Sequence, residues 1–228
     1  MCAQFMIKAE LSKLARRLKA QYSDSLPQPA ERILPYSLAP VVVQEKGERV
    51  LKLMSFSLVP SWSLERKAKF ATHNARLSTV DERTGQVVPI HQKPTWKRPF
   101  SAQRCIVPMT GFIEPIYNGQ WAGNMVHFHS AQGDLFFAAG IYDVWTSKTD
   151  GEIVESFAVL TDDPIPFVKS IGHERSPVFI FETAVDAWLA PGEQAPERLL
   201  EILRTSKDSL SLTVESDRPL AKGWEKRR

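Results

Sequence analysis

The sequence predicts one α+β domain built on a largely antiparallel sheet, and three features carry that expectation. Apolar β-like runs crowd the middle of the chain, helical periodicity is confined to its flanks, and the two do not alternate as a doubly wound parallel sheet requires. The 228 residues are 43% apolar, enough for a core that needs neither disulfides nor metal. No repeat or linker-like stretch divides them, so a single domain over residues 1–228 is expected.

Residues 9–20 (AELSKLARRLKA) place Leu11, Leu14, Ala15 and Leu18 on one helical face with cations opposite. A proline-interrupted stretch from Pro27 through Pro35 to Pro40 reads as an irregular wrapping segment. Residues 49–59 (RVLKLMSFSLV) form the first strand expected, stopped by Pro60. Residues 105–113, 125–129, 135–142, 156–160 and 178–181 supply further β-like runs. Residues 183–189 and 197–204 look helical, the second preceded by Pro196, a residue suited to a first helical turn.

Charge and cysteine usage exclude several classes. A net charge of +3 is too mild to announce a nucleic-acid binder by itself. The cations are clustered, however: Lys8, Lys13, Arg16, Arg17 and Lys19 near the start, Lys93, Lys97, Arg98 and Arg104 around Trp96, and Lys226, Arg227 and Arg228 at the end. Such runs can meet phosphates or simply form solvated faces. Cys2 and Cys105 are the only cysteines, so no disulfide framework exists. No apolar run reaches membrane-span length, and the start lacks the basic-then-apolar order of a secretory leader. A cytoplasmic chain without a membrane partner is expected, associated with the nucleoid in a bacterium.

Cys2 is the most unusual residue. Removal of Met1 would expose a terminal cysteine, which carries an α-amine with a pKa of about 7.7–8 beside a thiol whose thiolate is the nucleophilic form. Given an aldehyde, the amine forms an imine and the thiol closes on it intramolecularly, yielding a five-membered thiazolidine. An internal cysteine cannot do this, because its nitrogen is an amide. If Met1 is retained, the same holds for Cys2. On position alone, Cys2 is equally a small hydrophobe.

Three segments add polar groups beside apolar runs. Thr72-His73-Asn74-Ala75-Arg76 holds an Asn next to an Arg, Gly111-Phe112-Ile113-Glu114-Pro115 places a carboxylate at a strand end, and Ile171-Gly172-His173-Glu174-Arg175-Ser176-Pro177 puts a histidine in a turn. A carboxyl and an imidazole suit proton transfer near neutrality, and burial beside Phe112 and Ile113 would raise the pKa of the Glu114 carboxyl. With Tyr36-Ser37-Leu38-Ala39-Pro40, Leu58-Val59-Pro60-Ser61-Trp62 and Phe137-Ala138-Ala139-Gly140-Ile141, these segments resemble, in order, the SOS response-associated peptidase (SRAP) family. The correspondence runs from residue 2 to about residue 189.

The resemblance implies a half-open antiparallel barrel with peripheral helices, and a sensor of abasic sites in single-stranded DNA. Such a protein forms a thiazolidine DNA–protein crosslink through Cys2 after Met1 removal, with limited lyase activity through the same imine. It also implies the site: Cys2 as nucleophile, Glu114 for proton transfer during sugar ring opening, His173 as acid/base for imine formation and closure, and Asn74 to position amine and sugar. Arg76 and Arg175 would meet phosphate, and Trp62 with Pro60 would face the bases. No cofactor and a monomeric state are expected.

Departures from the family pattern are equally visible. Ala3 and Gln4 stand where Gly and Arg are usual, Ser37 where Asn, Ser57 where Gly, Pro115 where Trp, and Ser176 where Met or Arg. Two other functions fit parts of the same residues: a cysteine peptidase using Cys2 and His173, and a non-covalent DNA-binding module. His127 and His129, two apart on a strand, face one side and could ligate a metal. No third ligand is evident at sensible spacing, so no metal is expected. Cys105 reads as core packing.

Overall fold

The computed structural model describes residues 4–68, 70–208 and 210–227. In chain order its elements are β1 (Gln4–Met6), α1 (Leu11–Leu18), β2 (Arg32–Ile33), β3 (Leu38–Glu45), β4 (Glu48–Phe56), β5 (Asn74–Arg76), β6 (Ser78–Val80), β7 (Val87–Pro89), α2 (Lys97–Ala102), β8 (Arg104–Met109), β9 (Gly111–Ile116), β10 (Asn124–His129), β11 (Phe136–Thr146), β12 (Ile153–Asp162), α3 (Pro166–Ile171), β13 (Ser176–Pro177), α4 (Val185–Trp188), α5 (Pro196–Thr205) and β14 (Thr213–Pro219). The α+β class with helices at the periphery is as expected.

Two sheets share one core. The order β11-β8-β3-β4-β12 closes on itself, because β12 pairs with β4 on one side and β11 on the other. Closure removes the exposed edges that an open sheet presents. The second sheet has the open order β14-β10-β9-β1-β2. Among the strands named here, every pairing is antiparallel except β12 with β4 and with β5.

Alternation along β9 and β10 gives the second sheet two unlike faces. In the antiparallel register Phe112 lies opposite Phe128 and Glu114 opposite Val126. This inner set packs into the main core, where Phe112 and Phe128 stack with centroids 4.9 Å apart. The outer set, Ile113 opposite His127 and Gly111 opposite His129, carries only a small apolar cluster of Met6, Ile113 and Met125.

Several expectations need correction. The proline-rich wrapping segment contains β2 and the start of β3. Pro40 sits inside β3 opposite Leu53, where the neighbour β8 meets β3 only at Val42 and so demands few donors on that side. The run 105–113 is two strands in different sheets, broken at Thr110, whose N–H and hydroxyl both reach the Met6 carbonyl. Residues 178–181 form isolated bridges rather than a strand. The strand expected to run to Val59 ends at Phe56, where buried Ser57 adopts φ +133°. That is a conformation glycine tolerates best, so Ser57 carries backbone strain.

Arg104 is not a surface cation. It is buried, and its guanidinium donates to the carbonyls of Phe100, Ser101, Trp188, Ala190 and Gly192. It therefore ties α2 and the segment after α4 to β8. Cys105 lies wholly in the core, where burial pushes its thiol pKa up, as its packing role requires. Among the described residues, no helix is long and apolar enough to cross a membrane.

Candidate functional site

The structure brings two of the expected residues face to face. Glu114 is carried by β9 on the inner face and is wholly buried. His173 follows α3, whose chain reverses at Gly172 (φ +101°). A Cβ there would meet the Asn118 carbonyl at 2.5 Å, so this turn requires glycine. The reversal sets His173 Nε2 3.7 Å from Glu114 Oε2, with the imidazole 11% exposed. That separation exceeds direct hydrogen-bond length.

The ring is held from its other side. The Arg175 carbonyl lies 2.7 Å from His173 Nδ1 and the Arg175 N–H 3.2 Å from it. A carbonyl only accepts, so the shorter contact places the proton on Nδ1 and turns the Nε2 lone pair toward Glu114. Burial, above all, pushes the His173 pKa down to about 4, so the imidazole is neutral at physiological pH. A neutral imidazole beside a buried carboxyl is a proton-transfer pair.

A cationic group assembles at the end of β12. There β5 flanks it in parallel (Thr161 beside Arg76), and β13 pairs with it antiparallel (Thr161 opposite Pro177). Asn74 and Arg76 share one side of β5, with Ala75 in the core; Asn74 itself is buried. Burial and the repulsion of Arg175 lower the Arg76 pKa. Lys93 donates to the Arg76 carbonyl at 3.2 Å. Burial, then Arg175 and Arg76, push its pKa down to about 8. Arg175 thus acts on both Arg76 and Lys93, and such a concentration of positive charge is a place where an anion is stabilised. Lys93 was visible in the sequence only as part of a charge cluster; its place beside Arg76 depends on β5 and the turn after β7.

Trp62 and Pro60 lie in the long excursion between β4 and β5. Its ends are tied by Leu58 N–H to the Thr72 carbonyl and Val59 N–H to Ser156 Oγ. Within it, Ser61 N–H bonds Asp143 and Trp145 Nε1 bonds the Ser63 carbonyl. Pro60 is buried but lines the floor of a cleft of about 340 Å³. Trp62, 57% exposed, Leu64 and Phe70 stand at its rim. Tyr36 is exposed too, with Lys67 Nζ 4.8 Å from its ring centroid. Cys2 lies outside the described residues.

The family model for SOS response associated peptidase (SRAP) matches residues 1–217. The chain is similar to the abasic site processing protein YoaM of Bacillus subtilis (26% identity, covering 77% of this chain and 72% of that one). It also resembles YoqW of the same organism (23%, covering 90% and 87%) and the abasic site processing protein HMCES of Mus musculus (27%, covering 74% and 55%). Its fold matches a crystal structure of a protein from Bacteroides thetaiotaomicron with a TM-score of 0.75 at 23% identity, covering 95% of this chain and 92% of that one. A match over nearly the whole length, together with the ordered motifs that build the site, places this chain in the SRAP family.

Proposed function

We propose that this protein captures abasic sites in single-stranded DNA by forming a thiazolidine through Cys2. The observation that carries the reading is the buried Glu114–His173 pair, with Nε2 and Oε2 3.7 Å apart and Glu114 on β9, the strand beside β1. Gln4 lies opposite Ile113, the residue before Glu114. Cys2 is two residues nearer the N-terminus, so covalent reach alone keeps it within about 7 Å of Gln4. The names of the similar proteins support the same substrate class.

The chemistry follows from these groups. The abasic sugar rests mainly as a closed hemiacetal, and Glu114 moves the proton that opens it to the aldehyde. The Cys2 amine attacks the aldehyde carbon and one water leaves, giving the imine. The Cys2 thiolate adds to the imine carbon, forming the C–S bond, while the ring nitrogen takes a proton through neutral His173. Asn74 orients sugar and amine. Arg76, Lys93 and Arg175 receive a neighbouring phosphate, and Trp62 stacks a base, a contact of about 1–3 kcal/mol. Elimination of the 3′ phosphate from the imine, before the thiol adds, accounts for lyase activity.

The test is incubation of the purified protein with a single-stranded abasic oligonucleotide, followed by heating and denaturing electrophoresis. A heat-stable adduct is expected, lost in Cys2→Ala and retained in Cys105→Ala. Equal adduct from Cys2→Ala overturns the reading. Turnover of peptides with no DNA adduct would point to the peptidase instead.

A further inference from the structure

We propose that His127, His129 and Glu215 bind one divalent transition-metal ion of the zinc class on the outer face of the second sheet. The two histidines lie two apart on β10, and Glu215 on β14 is directly opposite His127. Glu215 Oε1 is 3.1 Å from His127 Nδ1 and 3.6 Å from His129 Nε2, and the three ligand atoms lie within 4.8 Å of one another. A tetrahedral zinc ion with bonds of about 2.0–2.1 Å separates its ligand atoms by about 3.3 Å, close to the two distances that Glu215 Oε1 already makes to the imidazoles.

The tautomer at His129 supplies a second, independent reason. Its Nδ1 lies 3.1 Å from the Ser130 carbonyl, which only accepts, so the proton sits on Nδ1. The Nε2 lone pair then faces the Glu215 carboxylate at 3.6 Å, an arrangement that either a bound cation or a second proton on the ring holds together. A carbonyl fixing the far nitrogen of a histidine is the usual support for a metal ligand. His127 is set by packing: a Cβ on Gly111 would stand 2.4 Å from its Nε2, so the bare glycine lets the ring lie flat with Nδ1 toward Glu215.

A cleft of about 230 Å³ opens over the three residues, with space for water to complete the coordination. Lys8 lines the same cleft and opposes a cation there, but its exposed stem can turn the ammonium to solvent. Because Glu114 faces the other side of the sheet, the ion's role is mechanical. It would pin the polar C-terminal strand β14 to β10, the neighbour of the strand that carries Glu114.

The experiment is a calorimetric titration of Zn(II) into tag-free full-length protein carrying Cys2→Ala, which removes the thiolate as a competing ligand. One equivalent should bind, and Glu215→Gln and His129→Ala should each weaken it by at least about tenfold. The thermal midpoint should rise with zinc in the parent and not in Glu215→Gln. That variant changes an exposed side chain and will fold. No zinc uptake, or uptake unchanged in Glu215→Gln, would mean that a proton on His129 Nε2 holds the carboxylate, and would overturn the proposal.

Discussion

Strands β9 and β10 present two pairings of histidine with glutamate on opposite faces of one sheet, and the faces assign them different chemistry. On the inner face Glu114 has no exposure and its partner His173 is 11% exposed. On the outer face His127 is equally covered, but Glu215 is 63% exposed. Burial lowers the pKa of both His173 and His127. What separates them is the carboxylate: the His127 hydrogen bond, with the charge of His129, holds the pKa of the exposed Glu215 down, while Glu114 is enclosed. An open carboxylate beside two imidazoles suits an ion, and an enclosed one beside a single neutral imidazole suits moving a proton. One step of strand alternation, from the Glu114–Val126 pair to the Ile113–His127 pair, divides the two.

The largest effect expected lies on the inner face. Glu114→Gln and His173→Ala should each slow adduct formation by about 10²- to 10⁴-fold, measured as single-turnover rates on an abasic oligonucleotide. Glu201→Gln, on the exposed face of α5, should not. Equal rates in both inner-face variants would erase the distinction between the faces.

Next comes acid stability. His173 has a folded pKa of about 4, against an unfolded value of about 6.5. Between those values the unfolded chain binds more protons, so stability falls as pH drops through 6.5 and levels off below 4. Its size is about 3 kcal/mol. His73 and His127, whose pKa values burial also lowers, add to the same limb. Denaturant titrations from pH 7 to 4 should show a shallower fall for His173→Gln, and an unchanged slope would remove His173 as its main source.

A smaller effect is expected at Gly111→Ala. The added methyl meets both His127 Nε2 and the Phe128 carbonyl within 2.7 Å, and such overpacking costs about 1–3 kcal/mol. It should also abolish zinc uptake by displacing the His127 ring. The smallest change belongs to Glu215→Gln in metal-free buffer, where only the hydrogen bond between His127 and the largely exposed Glu215 is altered. A marked loss of thermal midpoint there would mean that the outer pairing stabilises the sheet without an ion.

These two sites were unequally legible in the sequence. Glu114 and His173 stand in short ordered motifs beside apolar runs, and local sequence is enough to mark both. The outer site showed only half of itself: His127 and His129 declare a shared face by spacing, but Glu215 joins them from 86 residues beyond His129. It does so through β14, whose residues TVESDRP have no apolar alternation. That strand is fixed by its ladder to β10 and by the Arg32–Asp217 ion pair, neither of which local sequence encodes. Arg104 failed in the opposite sense. Its neighbours suggested a cationic surface, and only the packing of α2 and α4 over β8 turns it inward to bond carbonyls. In β3, Val41-Val42-Val43 was hidden by Pro40, because a proline reads locally as a break wherever the sheet happens to spare its missing donor.

The central claim, that a terminal cysteine closes on the sugar under the control of the buried pair, is met most directly by the intact mass of the unreduced adduct. The predicted mass is that of the chain without Met1 plus the abasic oligonucleotide, less one water, and it should survive heating. An adduct that still contains Met1, or one that falls apart unless reduced, would contradict it.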